Sequence, residues 1–456
     1  MCVFNNFTHD SRVLKEASSL AKIGYGVTVL ARLDDNTVPL ENVNGIRVKR
    51  IPVNPFHLRL IHLIRQVTCW EIFTKTKNTK GHSPSVKEEV FGSSETKIHT
   101  PSILLTLFRK GMRRILRYVR IRVQRVIRHS VESFLMKFHR PFLILDFNFR
   151  ILKTAKVEGY DVFHAHDLNT LIGAYAAARK WGANLIYDSH ELYLERNRFE
   201  PYNPAGKWMR KKVEAYLIRR SDHVITVNDS LARMLADTYK VQLPTVIMNT
   251  PSLEKVSPPS QYVSLRRAIG IQDDYDVLLY SGSITFNRGL ENLIESLVYL
   301  PHCFLVLMGY SNNRYENKLR AIAAEKGVAS RLAFFGPVPT DEVTLYASSA
   351  NLGVAPIENV CLSYYYCSPN KLFEYLLAGL PVICSDLPEM RQIIDEYGVG
   401  TTFDPSVPKD IARAAMEIFE APEKWRDIKK KTDAVASTYN WENESSKLID
   451  IYQSLS

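Results

Sequence analysis

At 456 residues, 46% of them hydrophobic and 23% charged, the chain is too long for one ordinary domain and has ample apolar material for two cores. No run of eighteen or more apolar residues occurs, which excludes a spanning helix, and the start, MCVFNNFTHDSR, lacks the basic-then-apolar layout of a secretion signal. The six cysteines have no metal-site spacing and read as reduced thiols of a cytosolic protein, while the net charge of +11 belongs to one segment: residues 55–150 hold 19 Lys and Arg against 6 Asp and Glu.

Near the start, Val13, Ala17, Leu20 and Ala21 recur at helical spacing up to Gly24, and residues 27–31 (VTVLA) follow as a short apolar run. With residues 2–4 as a first strand, this is strand-helix-strand order. The loop at residues 5–10 carries polar side chains where many nucleotide folds carry glycines. Asp10 or Ser11 is expected to cap the helix, and either can face a ligand, because loops after parallel strands line the crevice.

Residues 55–150 interrupt this alternation. Residues 75–100, rich in Lys, Ser, Thr and Gly, have the composition of a mobile loop. Beyond them Leu105, Phe108, Met112, Ile115, Val119, Val123 and Val126 recur at steps of three and four. Arg109, Lys110, Arg113, Arg114, Arg117, Arg120, Arg122, Arg125 and Arg128 fill the other faces, with no acidic residue among them. A basic amphipathic helix of this kind suits the interface of an anionic membrane, where each basic residue contributes about 1 kcal/mol. A helix packed on its own domain with a solvated basic back has the same pattern. Nucleic acid fits less well, because the helix acts alone and lacks interleaved aromatics.

The alternation then resumes. Residues 161–165 (DVFHA) read as a strand ending at His166 and Asp167, and 171–180 as a helix. Residues 185–187 are a strand ending in Asp188, Ser189, His190 and Glu191, followed by a helix at 208–220 and a strand at 224–227. Strands that end in polar clusters, with helices between, indicate a parallel doubly wound sheet with ligands at its carboxyl edge. A lone histidine is more often structural, but His166 and His190 at successive strand ends favour a site.

Residues 253–262, with Pro258 and Pro259, form a linker. The second half restarts with a strand at 277–281, a turn through Gly282 and Ser283, and Arg288 and Gly289 leading into a helix. Further strands are expected at 304–308, 332–335 and 352–355. Residues 368–386, SPNKLFEYLLAGLPVICSD, place Ser368 as a helix cap and Pro369 at the first helical position. Lys371 lies in the first turn, Glu374 one turn on, and a short strand follows Pro381. A helix start beside a lysine suits an anion such as a diphosphate. An ordinary capped helix with a surface Lys and Glu would look the same.

Four stretches taken together, DSRVLKEASSLAKIGYGVTVLA, DVFHAHDL with YDSHELY, SGSITFNRGLENLI and SPNKLFEYLLAGLPVICSD, resemble the retaining glycosyltransferases of family 4. The resemblance implies the α/β GT-B fold, two doubly wound Rossmann-like domains facing across a cleft, with the basic helical insertion in the first. The expected layout is an acceptor-side domain at 1–252 with the insertion at 55–150, a donor domain at 263–436, and a helix at 437–456 returning to the first domain. By position, Arg288 resembles the cation that neutralises the departing diphosphate, with Lys371 beside it and Glu374 on the nucleotide ribose. Gly282, Ser283, Ser368, Asn370 and Leu372 would line the nucleotide sugar. His166 resembles the histidine near the donor sugar, and Asp10, His190 and Glu191 are acceptor-side candidates.

Two departures stand out: Ser283 replaces the family's arginine, and Tyr366 replaces a glutamate that contacts the sugar. The implied activity is transfer from a UDP- or GDP-sugar to a lipid-linked or glycan acceptor, with no metal or other cofactor and no nucleic acid. Arg113, Arg117 and Arg120 would hold the protein peripherally on the cytosolic membrane face. A sugar-nucleotide 2-epimerase of the same fold, or a non-catalytic scaffold binding membrane or a partner, are the alternatives.

Overall fold

The computed structural model describes residues 1–456 apart from 9, 78–100, 199, 255–261 and 456. The chain divides into two compact units, one of Met1–Ile51 with Ile151–Ser456 and one of Pro52–Arg150.

The first unit carries β1 (Thr28–Arg32), β2 (Leu40–Val43), β3 (Ile46–Ile51), β4 (Val162–His166), β5 (Asn184–Ser189), β6 (His223–Thr226) and β7 (Thr245–Val246) in its N-terminal half. These form the orders β1-β3-β2 and β4-β5-β6-β7, joined through Cys2, which bridges Leu30 on one side and Ala165 on the other. All pairs are parallel except the β2–β3 hairpin. That hairpin is absent from the sequence-based expectation, although Asn44-Gly45 marks it. Both turn residues have positive φ (53° and 84°), the conformation a tight hairpin turn demands.

The C-terminal half carries β8 (Asp276–Ser281), β9 (Cys303–Met308), β10 (Leu332–Phe335), β11 (Leu352–Ala355), β12 (Val382–Ser385) and β13 (Gly400–Phe403), all parallel in the order β10-β9-β8-β11-β12-β13. Strands such as VLLY and FLVLM are apolar along their length because helices cover both faces of a parallel sheet. Their side chains, with Leu290, Leu293, Leu372 and Tyr375 from the covering helices, make one continuous core.

The last helix, Trp441–Ser454, belongs to the N-terminal half. Leu448, Ile451 and Tyr452 pack with Leu20, Ile186, Ile225 and Ile247, and the Trp441 indole N–H donates to Ser19 Oγ at 2.9 Å. Cys2, Cys303, Cys361, Cys367 and Cys384 are all unpaired thiols.

The second unit is helical. Helix Phe56–Lys77 runs into the stretch expected to be loop, the rest of which (78–100) lies outside the described residues. Helix Pro101–Lys137 contains the whole basic amphipathic stretch. Met112, Leu116, Val119, Val123, Val126 and Ile127 on it are exposed, as are Arg122 and Arg125. The side chains of Arg113, Arg117 and Arg120 lie outside the described set. Among the described residues no helix is long and apolar enough to cross a membrane.

Candidate active site

β8 runs into Gly282, at φ 114°, and the loop returns through Arg288 and Gly289 into helix Leu290–Ser296. Gly289 has φ 67°, and a Cβ there would stand 2.1 Å from the Pro356 carbonyl oxygen, so the backbone closes here only with glycine. A Cβ at Gly282 would lie 3.5 Å from Lys371 Nζ, so the bare turn leaves room for that ammonium. Lys371 comes from the first turn of helix Asn370–Leu377, is 7% exposed, and sits 3.5 Å from the centroid of the Tyr280 ring. Burial and the neighbouring Arg288 charge hold it well below the usual lysine range.

The Arg288 guanidinium stacks 4.8 Å over Tyr364, and its Nε is buried without a hydrogen-bond partner among the described residues. Burial raises the Glu374 carboxyl, with Lys371 and Lys15 pulling it back. The buried Lys371 and the half-buried Arg288 thus share a corner without an ion-pair partner within 4 Å among the described residues, an arrangement that an entering anion would relieve.

The helix beside them has no side-chain cap. Pro369 takes the N-cap position (φ −73°, ψ 136°), and Ser368, the cap expected from sequence, accepts instead from Asn228 Nδ2 at 3.1 Å. Proline fixes its own φ and forces the residue before it to be extended, which carries Ser368 away from the helix start. The first-turn N–H groups are left without a side-chain acceptor, next to Lys371.

The N-terminal half contributes a buried charge cluster. Arg12 grips Asp188, at the end of β5, through Nε to Oδ2 and Nη2 to Oδ1, both 2.9 Å, while Nη1 donates to the Ile247 carbonyl at 2.8 Å. His190 Nε2 meets the same Oδ2 at 2.9 Å and lies 3.1 Å from His166 Nδ1. Burial alone would depress His190, but Asp188 and Asp167 outweigh it and lift the imidazole to about 9. Burial takes His166 down to about 4 despite Asp188. His190 is therefore the cation of the pair and His166 is neutral. Against burial, Arg12 and His190 hold Asp188 well below the usual carboxylate range.

Glu16, one helical turn from Arg12, has Oε1 3.0 Å from Arg12 Nε and Oε2 3.8 Å from Nε2 of both His164 and His166. Burial pushes its carboxyl up, with Arg12 opposing. Ligand-capable atoms of Glu16, His164, His166 and Asp188 lie within 4.8 Å of one another. They fit a metal ion poorly. The guanidinium already stands between the two carboxylates, and the two rings stack at 4.3 Å and 20° instead of converging on one point.

A cavity of about 180 Å³ lies between the halves, lined by His190, Glu191, Arg288, Ser363, Tyr364 and Ser368 among others. Glu191 takes Arg196 Nη1 at 3.2 Å and Ser363 Oγ at 3.4 Å. Asn228 ties the halves together by donating to the Tyr366 carbonyl at 2.7 Å.

Arg288, Ser368, His190 and Glu191 therefore meet at one cavity, with Gly282, Lys371 and Glu374 at the adjoining corner. His166 does not line it: it is 3% exposed, and the histidine that reaches the cavity is His190. Leu372 turns fully into the hydrophobic core, because its place on the helix faces the sheet. Ser283 is exposed on the turn, with its carbonyl accepting from the Tyr280 hydroxyl at 2.8 Å. Asp10 is turned to its own loop, capping the helix through Val13 N–H at 3.1 Å and accepting from Asn5 at 2.7 Å. Arg12, Glu16 and Asn228 escape the sequence reading, which names Asp188 only as part of a polar strand end. The available signal is that Arg12 and Glu16 share the face of Val13, Ala17 and Leu20, where charge is unexpected.

Two Rossmann-like halves enclosing such a cavity are the arrangement of the GT-B fold. The fold is shared with sucrose-phosphate synthase from Thermosynechococcus elongatus (TM-score 0.67, 18% identity, 97% of this chain and 92% of that one). It is shared also with Anabaena HepE in complex with UDP-glucose (TM-score 0.62, 14% identity, 99% and 98%). Residues 263–435 match the family described as glycosyl transferases group 1, and residues 98–251 match glycosyltransferase family 4. The D-inositol 3-phosphate glycosyltransferase of Acidothermus cellulolyticus is 22% identical over 308 residues, 64% of this chain and 67% of that one. An uncharacterised glycosyltransferase of Methanocaldococcus jannaschii is 25% identical over 315 residues, 65% and 76%. The chain belongs to the group 1, family 4 glycosyltransferases, and it is a transferase enzyme.

Proposed function

We propose that this glycosyltransferase moves a sugar, with retention, from a UDP- or GDP-sugar to a lipid-linked or glycan acceptor at the cytosolic face of a membrane. The observation that carries the donor side is the unneutralised pair Arg288 and Lys371 beside an uncapped helix start. Cleavage of the bond from sugar to diphosphate develops negative charge on the leaving oxygen. Preorganised cations there lower the barrier, and losing one such group typically costs ~10²–10³ in rate. Glu374, one turn deeper, would accept hydrogen bonds from ribose hydroxyls. The UDP-glucose complex of HepE supports UDP as the nucleotide. No metal is assigned a part.

Lys371→Ala and Arg288→Ala should each cut turnover at least ~10²-fold with the fold intact. Near-normal turnover in both would sink the phosphate assignment, and calorimetry with UDP and GDP decides the nucleotide. The membrane part rests on the exposed apolar side chains and the basic residues of helix Pro101–Lys137. If a chain lacking residues 105–128 sediments with anionic vesicles as well as the full chain, that part is wrong.

A further inference from the structure

We propose that Asn197, on the N-terminal half, is a positioning residue for Arg288, so that the diphosphate site reaches full strength only when the two halves are closed on each other. This rests on the proposed sugar-nucleotide donor and adds a residue that acts on the donor through Arg288 alone. Two things fix where the Arg288 guanidinium stands. One is its backbone: Arg288 lies between Asn287 and Gly289, both with positive φ (60° and 67°), so the turn sets the direction in which the side chain leaves. The other is the Tyr364 ring, over which the guanidinium lies at 4.8 Å. Asn197 holds both. Its Oδ1 accepts from Asn287 Nδ2 at 3.1 Å, and its Nδ2 donates to the Tyr364 hydroxyl at 3.3 Å.

The two contacts use both ends of one amide, so a single side chain sets the turn and the ring together. Asparagine adopts the left-handed conformation more readily than most residues. The turn at Asn287 therefore forms without help, and the bond to Asn197 decides where it points. Neighbouring contacts act in the same direction. The Ser363 backbone N–H donates to the Glu195 carbonyl at 3.2 Å, and Ser363 Oγ lies 3.4 Å from Glu191 Oε2. Residues 191–197 thus meet 363–364 along a short polar seam beside the cavity that Glu191, Ser363, Tyr364 and Arg288 line.

The C-terminal half gives Arg288 little other restraint. Its Nε is buried and has no hydrogen-bond partner among the described residues. A guanidinium resting on a ring face slides easily, and a displacement of ~1 Å is enough to lose much of a catalytic interaction. Opening the cleft withdraws Asn197 from both partners and leaves Arg288 loosely held. By reciprocity, a diphosphate that needs Arg288 in place favours the closed halves by the same factor.

The test titrates the full chain with UDP and with uridine, which keeps the base and ribose and lacks the phosphates, or with GDP and guanosine if wild type takes the guanine nucleotide. Thermal unfolding confirms the fold of each variant. Asn197→Ala should weaken the diphosphate about tenfold and leave the nucleoside unchanged. Tyr364→Phe keeps the ring and removes the accepting hydroxyl, whereas Asn287→Gly keeps the left-handed turn and removes the bridging amide. Each should reproduce part of the loss, about threefold. In an Arg288→Ala background Asn197→Ala should change the affinity no further, a result that a merely structural role would not produce. Wild-type affinity in Asn197→Ala, together with weakened binding in Arg288→Ala, overturns the inference and leaves the donor reading standing. A loss that persists undiminished in the Arg288→Ala background overturns it too, because Asn197 would then act by another route. Unchanged affinity in Arg288→Ala itself would overturn the donor reading.

Discussion

Lys371 is buried without an ion-pair partner within 4 Å among the described residues, against the face of Tyr280 and near a second cation, so the unliganded protein carries an electrostatic penalty there. Lys371→Met keeps the volume and removes the charge. It should raise the stability of the free protein by about 1 kcal/mol or more while abolishing UDP binding, read by thermal unfolding with and without UDP. His190 gives the opposite sign. Its folded value of about 9 lies above the ordinary ~6.5, so its contribution is fully present below about 6.5 and is lost as pH rises through 9. Unfolding between pH 7 and 10 should show a loss of about 2–3 kcal/mol that Asp188→Asn lacks. An equal loss in that variant would assign the pH dependence to another group.

At the scale of elements, the site depends on two turns that bring strand ends against helix starts. Gly289 cannot accept a side chain: φ is 67° and the Pro356 carbonyl oxygen stands 2.1 Å from the Cβ position. Gly289→Ala should therefore cost about 2–4 kcal/mol and shift Arg288, so that UDP affinity falls together with the melting temperature. Retained stability and affinity would mean that the loop relaxes without moving Arg288. The helix after Pro369 illustrates what is legible locally. Apolar spacing, Lys371, Glu374 and the stop at Ala378-Gly379 are plain in the sequence. Pro369 in place of Ser368 as the N-cap follows from the proline's own stereochemistry, whereas the partner Ser368 takes instead, Asn228, lies 140 positions away and is visible only in the tertiary structure.

At the scale of the molecule, Asn228 connects the halves. Its Oδ1 caps helix Asp229–Tyr239 through Leu231 N–H at 2.9 Å, while its Nδ2 reaches the Tyr366 carbonyl and Ser368 Oγ on the other side. Asn228→Ser retains a capping oxygen and loses the bridge. The KM for the donor should rise about tenfold with a smaller change in kcat, since what is lost is the closed arrangement of the two walls. An unchanged KM would show that the halves close without this contact.

By itself the sequence determined the alternation of strands and helices, the restart after the linker, the concentration of basic charge in residues 55–150 and the four stretches that mark the family. These signals are local, carried by periodicity and by residue types at short spacing. Tertiary structure alone decided which histidine meets the cavity. His166 and His190 are equivalent at the level of pattern, both at strand ends. Only the convergence of Arg12, Asp188 and Ile247, drawn from three distant segments, buries His166 as a neutral ring and leaves His190 charged at the surface of the cavity. A charge state set by burial and by an Asp188 that is itself held by Arg12, 176 residues away, is not written in any local pattern.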